Sequence, residues 1–113
     1  MKRSIARKWA AALESGEYKQ GKGQLRKGDK FCALGVLCNL HAQEHPEIAA
    51  KQRFKSSYLG SSDLLPEEVQ DWADMCSHDG YIYYNTNLMH MNDVRGKTFP
   101  EIAKVIRKYW KEL

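Results

Sequence analysis

Apolar residues recur along this chain with helical spacing, and the spacing breaks wherever glycines gather. Ile5, Trp9 and Leu13 fall at i, i+4 and i+8 with Ala6 and Ala10 beside them, which predicts an amphipathic first helix. Ser4 is placed to cap it and Gly16 to end it. From Tyr18 to Asp29 the period vanishes among glycines and charges, so a loop or short hairpin is expected. Phe31 to His41 is apolar on most sides, as a central buried helix must be, and Gly35 inside it leaves room for another element to approach closely. Pro46 starts a short helix through Ala50. The polar connection that follows, residues 51–62, turns only Tyr58 and Leu59 inward.

The second half follows the same logic. Pro66 opens a helix with acids in its first turn, and Val69, Trp72, Ala73 and Cys76 are its expected inner face. Asp79-Gly80 signals a turn, and Tyr81-Ile82-Tyr83-Tyr84 has the composition of a strand. Leu88, Met89 and Met91 predict a short helix that stops before Gly96. Thr98 and Glu101 form a capping box around Pro100, and Ile102, Val105, Ile106, Tyr109 and Leu113 supply the face of the last helix. The expected fold is α+β and mainly helical: one compact domain, residues 1–113, of four to five helices with a small β element near Tyr81–Tyr84.

Composition changes this picture little. With 42% apolar and 28% charged residues the chain is an ordinary globular domain and not a disordered one. No apolar run approaches the roughly 20 residues that span a bilayer. Arg7 and Lys8 interrupt any signal-peptide core after Met1, so the expected location is cytoplasmic, the host cytoplasm if a phage encodes the chain. Cys32, Cys38 and Cys76 do not suggest a disulfide framework in that setting. Cys32 and Cys38, six apart, would sit about 120° apart around a helix, as small buried hydrophobes.

Charge changes it more. The net charge is +4, yet residues 1–30 carry nine Lys and Arg against three acids, while the rest carry nine against eleven. The early cations are Lys2, Arg3, Arg7, Lys8, Lys19, Lys22, Arg26, Lys27 and Lys30. A patch of this kind suits a phosphate backbone or an acidic protein face, and a solvated surface without a partner is its plain alternative. Gly16 to Gly23 nearly matches a phosphate-binding loop, but Gly23 stands where a magnesium-binding hydroxyl belongs, and a helix precedes it instead of a strand. Nucleotide hydrolysis is therefore excluded. An anion could still meet the Gly21–Gly23 backbone together with Lys22 or Arg26. Tyr18 could stack on a base, or pack as a cover on Trp9.

Three further motifs carry chemistry. Cys32 opens a helix, where the dipole lowers a thiol pKa, and His78 and His90 follow at intervals that resemble the small NlpC/P60 thiol hydrolases. Only the cysteine matches that family's motif, because Phe31-Cys32-Ala33-Leu34 stands where Asp-Cys-Ser-Gly is expected. Cys76 with His78, and His41 with His45, are pairs lacking the further ligands of a zinc site, so no metal or other cofactor is expected. Gly96 to Ile106 is similar to the first half of a helix-turn-helix. No recognition helix follows before Leu113, so sequence-specific DNA reading is not expected from it.

Several blocks together carry a broader likeness: Tyr18-Lys19-Gln20-Gly21, Leu25-Arg26, Phe31 to Cys38, Met91-Asn92-Asp93 and Phe99 to Ala103. They resemble a family of small proteins from bacteriophages, prophages and bacteria, over most of the chain. The resemblance implies a stand-alone phage-type accessory protein with no assigned activity, so it transfers no catalytic residue. The function expected is non-catalytic: engagement of an acidic host protein or nucleic acid through the basic N-terminal region. Lys19, Gly21, Lys22, Gly23, Arg26, Lys27, Arg3, Arg7 and Tyr18 are the candidate contacts. The alternative is a thiol hydrolase using Cys32, His78 and His90.

Overall fold

A computed structural model describes residues 1–51 and 53–113. Its elements run α1 (Arg3–Glu14), β1 (Lys19–Gln20), β2 (Arg26–Lys27), β3 (Lys30–Phe31), α2 (Ala33–Glu44), α3 (Pro46–Lys51), α4 (Glu67–Ala73), β4 (Tyr81–Tyr83), β5 (Thr86–Asn87), α5 (Leu88–Asp93) and α6 (Phe99–Tyr109). This is the expected mainly helical α+β arrangement, with six helices among the described residues, of which α3 and α5 have only six residues each. The Cα radius of gyration of 12.6 Å suits one domain of this length, for which about 13 Å is usual.

α2 is the core element. Leu34, Val36, Leu37 and Cys38 are fully buried, and α1, α3, α4 and α5 all pack on it while α6 packs on α1. Trp9 of α1 is also fully buried, and its indole N–H donates to the Ala33 carbonyl at 2.9 Å. Gly35 is required by a close approach: a Cβ there would lie 1.7 Å from the Leu25 carbonyl oxygen. That backbone is the loop leading into β2, so the missing side chain is what seats the basic loop on the core.

The loop itself is a small sheet in the order β1-β3-β2. β2 and β3 form a hairpin across Gly28-Asp29, with Gly28 at φ 63° in the first turn position, a place that favours glycine. β1 runs parallel to β3, pairing Lys19 with Lys30 and Gln20 with Phe31. A buried amide network fixes this sheet to the helices. Asn92 is fully buried; its oxygen accepts from Gln20 Nε2 and the Ala33 N–H, and its nitrogen donates to the Gly21 carbonyl. Gln20 also donates to the Lys97 carbonyl and accepts from the Phe99 N–H. Four of the five blocks that carry the sequence resemblance, all but Leu25-Arg26, are thus tied together by two amide side chains.

Several local expectations need correction. α1 begins at Arg3 with Lys2 as its N-cap, not Ser4, because the Lys2 N–H donates to the Ala73 carbonyl and so anchors the chain two residues earlier. Phe31 belongs to β3, and Cys32 is the extended N-cap of α2. α4 stops at Ala73 because Asp74 turns left-handed at φ 54°, so Cys76 falls outside the helical register and is exposed. The Thr98–Glu101 capping box forms as expected, and Leu113 is buried beyond the end of α6.

Candidate anion-binding cleft

Arg26 leaves β2 toward a cleft of about 550 Å³ between that strand, α2, α3 and residues 53–55. Its guanidinium is held on four sides. Nε donates to the Gly28 carbonyl at 2.8 Å and Nη1 to the Phe54 carbonyl at 2.7 Å. The carbon of the guanidinium lies 4.8 Å from the Phe31 ring centroid and 5.8 Å from that of Phe54, so cation–π attraction adds to the two carbonyl bonds. Of the five N–H donors on an arginine, three are left for a ligand. The group is already oriented before anything binds, which removes part of the ordering cost of binding.

Arg53 and Lys55, on either side of Phe54 in the chain, line the same cleft together with Asn39 of α2. None of its lining residues is acidic. Three cations around one concavity, unneutralised within it, raise the local potential for an anion. The Asn39 amide donates to the Tyr18 hydroxyl at 2.7 Å, and the Tyr18 ring meets Phe31 edge-on at 5.1 Å. Tyr18 therefore supports the arginine's aromatic bed by packing on Phe31.

The other expected contacts separate from this cleft. Lys19 pairs with Asp29 at 2.8 Å, and the hydrogen bond to that carboxylate raises the lysine's proton affinity while lowering that of Asp29. Lys8 is engaged by Glu44 at 2.8 Å. The Gly21 N–H donates to the Phe31 carbonyl and its carbonyl accepts from Asn92, so the backbone at Gly21 is occupied internally and is no anion cradle. Gly23 stays exposed at φ 81° between the exposed Lys22 and Gln24. Lys27 and Lys30 are exposed on the hairpin. Arg3 and Arg7 line a different, smaller cleft with Arg107 and Trp110. The early cations do not act as one set, because α1 and the hairpin carry them to separate concavities.

Cys32 is not assembled with a base. Its sulfur accepts from the Gly35 N–H at 3.3 Å as the N-cap of α2, and only 3% of the residue is exposed. Burial pushes the thiol pKa up to about 11, overriding the lowering that the helix start promised. His78 and His90 are both exposed, and neither bonds to the thiol among the described residues. His41 and His45 stack with ring centroids 4.0 Å apart. His41 Nδ1 meets the Tyr58 hydroxyl at 2.7 Å, and His45 Nδ1 meets the His41 carbonyl at 2.7 Å. Those ring nitrogens are taken, and no group of three or more potential ligands gathers among the described residues.

Sequence reasoning missed Arg53, Lys55, Phe54 and Asn39. The only local signal was a basic-aromatic-basic triplet, Arg53-Phe54-Lys55, inside a connection that had no period to mark it.

A family model, that of the domain of unknown function DUF8296, matches residues 1–110. The chain belongs to the DUF8296 family. The match runs from α1 through α6 and takes in the cleft, both small sheets and the Asn92 network. No curated protein and no solved structure shows significant similarity to this DUF8296 chain. No helix among its described residues is long and apolar enough to cross a membrane.

Proposed function

We propose that the protein is a non-catalytic accessory protein of phage type that engages an acidic partner, a host protein or a nucleic acid, through the Arg26–Arg53–Lys55 cleft. One observation carries this reading: three cations line a concavity of about 550 Å³ that no carboxylate enters, and Arg26 is held there by two carbonyls and two aromatic rings. Arginine in a fixed orientation suits the paired oxygens of carboxylate or phosphate, and lysine supplies a mobile point charge. The buried, capped thiol favours binding over catalysis. The likeness of the sequence blocks to small phage and prophage proteins supports a partner in the host cytoplasm.

The test is affinity for a polyglutamate peptide and for duplex DNA across a salt series. Binding of at least one should weaken steeply with salt, since each neutralised phosphate or carboxylate displaces counterions. The double variant Arg53→Glu with Lys55→Glu should lose tenfold or more, as two like charges now face the anion, roughly 1.4 kcal/mol or more. If neither probe binds, or the double variant binds as well as the parent, the reading fails.

A further inference from the structure

The Arg26 cleft concentrates charge where the rest of the surface disperses it. Arg26, Arg53 and Lys55 line one concavity, with no acid among its lining residues. Arg53 and Lys55 are exposed, and neither pairs with a carboxylate among the described residues. Asp29, beside Gly28 in the chain, is already held by Lys19 at 2.8 Å. Elsewhere Lys8 pairs with Glu44, and Arg3 and Arg7 line a separate cleft. A long polyanion is followed by cations spaced along a groove. Three cations around one concavity suit a single compact group of high charge instead.

A carboxylate brings one negative charge and two oxygens, which leaves two of the three cations uncompensated. A phosphate monoester brings about −1.5 to −2 charges at pH 7 and three acceptor oxygens. Arg26 can meet such a group with the N–H donors that its bonds to the Gly28 and Phe54 carbonyls leave free. The cleft, at about 550 Å³, is also far larger than one phosphate, and Ala42, Ala49 and Phe54 line it beside the cations. That apolar lining has room for an organic body behind the phosphate. An aromatic ester uses the charge and the apolar lining together.

We propose that the group taken by this cleft is a phosphate monoester on an aromatic body, the phosphotyrosyl side chain of a protein partner. The inference rests on the cleft being an anion site, and it narrows that reading to one chemical class. Clustered arginines recognise phosphorylated side chains in this way without any covalent step.

Fluorescence anisotropy of the full chain in phosphate-free buffer tests this, with four labelled peptides that differ at one position and carry no other charged side chain. That position holds phosphotyrosine, phosphoserine, glutamate or tyrosine. Phosphotyrosine should bind most tightly, about tenfold or more above glutamate, because the phosphate adds charge-assisted hydrogen bonds to the arginines. The Arg53→Glu, Lys55→Glu variant should lose that preference. Arg3→Ala with Arg7→Ala, in the other cleft, should keep it. Glutamate bound as tightly as phosphotyrosine overturns the proposal, and the anion site itself still stands if the Arg53, Lys55 variant loses both. Phosphoserine bound as tightly as phosphotyrosine overturns the assignment to an aromatic ester. Tighter binding of a single-stranded oligonucleotide with a terminal phosphate overturns the protein partner and assigns the cleft to nucleic acid. If no peptide binds, the proposal fails, while polyglutamate and duplex DNA decide the anion reading separately.

Discussion

At the start of α2 the helix dipole and burial act on the same thiol in opposite directions. A helix N-terminus favours the thiolate, but Cys32 sits among Phe31, Leu34 and the fully buried side chains of α2, and its pKa rises to about 11. Desolvation outweighs the backbone N–H groups of Gly35, Leu34 and Cys32 that act on the sulfur, of which the Gly35 N–H lies at 3.3 Å. Cys38 is buried more deeply, and burial raises its pKa as well. Cys76 alone is exposed. Alkylation of the native protein at neutral pH should therefore label Cys76 first, with Cys32 and Cys38 reacting only on unfolding. Peptide mapping after a short iodoacetamide pulse checks this, and early label on Cys32 would restore the nucleophile.

His41 makes a second residue-scale case. Burial, with the neighbouring His45 adding to it, holds its pKa down at about 4, against 6.5 for a free imidazole. Between these values the unfolded chain binds more protons than the folded one, so stability falls as pH falls through that window. The contribution is complete above pH 6.5 and is lost by about pH 4. Urea midpoints measured over this range should decline in the parent and decline less in His41→Gln, whose amide does not titrate. Equal slopes would remove His41 as the cause.

Among elements, the decisive contact is between α2 and the loop before β2. A methyl group at Gly35 would lie 1.7 Å from the Leu25 carbonyl oxygen and 2.6 Å from its carbon. Because the obstacle is backbone, relief requires the loop to shift, and with it β2 and Arg26. Gly35→Ala should cost about 3 kcal/mol, the upper range for overpacking a core, and should weaken anion binding as the cleft loses its arginine. A melting curve within a degree of the parent would contradict this.

Element scale is also where the sequence was most and least legible. Gly35 stood out as a glycine in an apolar run, and the Thr98–Glu101 box is a signature spanning four residues; each is decided locally. Ser4 and Cys76 misled because the helix ends near them are set by distant backbone, Lys2 bonding to Ala73 and Asp74 turning left-handed. The strand at Tyr81–Tyr83 was readable from its composition. The parallel pairing of β1 with β3 was not, because each has two residues and no alternation to read. Arg26 was singled out for its glycine-rich neighbourhood. Its companions Arg53 and Lys55 were not, since they meet it only through the Phe54 carbonyl, 28 residues away in the chain.

Over the whole molecule, charge is partitioned and not pooled. The excess in residues 1–30 suggested one continuous basic surface, yet folding sends Arg3 and Arg7 to the α1–α6 cleft and Arg26 to the hairpin cleft. Lys8 and Lys19 are drawn into ion pairs with Glu44 and Asp29. Those pairs are exposed and contribute little to stability, but they lessen the charge left for a partner. Arg53 and Lys55, from the part of the chain with no net positive charge, complete the better-formed site. Charge runs in a sequence thus located one part of the cleft; folding selected the rest.

The central claim is that an acidic ligand docks at the Arg26–Arg53–Lys55 cleft, and amide NMR of the nitrogen-labelled protein tests it most directly. Titration with a polyglutamate peptide, and separately with duplex DNA, should move the signals of Asn39, Arg53, Lys55 and Arg26 Nε saturably for at least one probe. The Arg53→Glu, Lys55→Glu variant should abolish those shifts. Shifts that saturate elsewhere while the cleft signals stay still, or that the double variant leaves intact, would contradict the account.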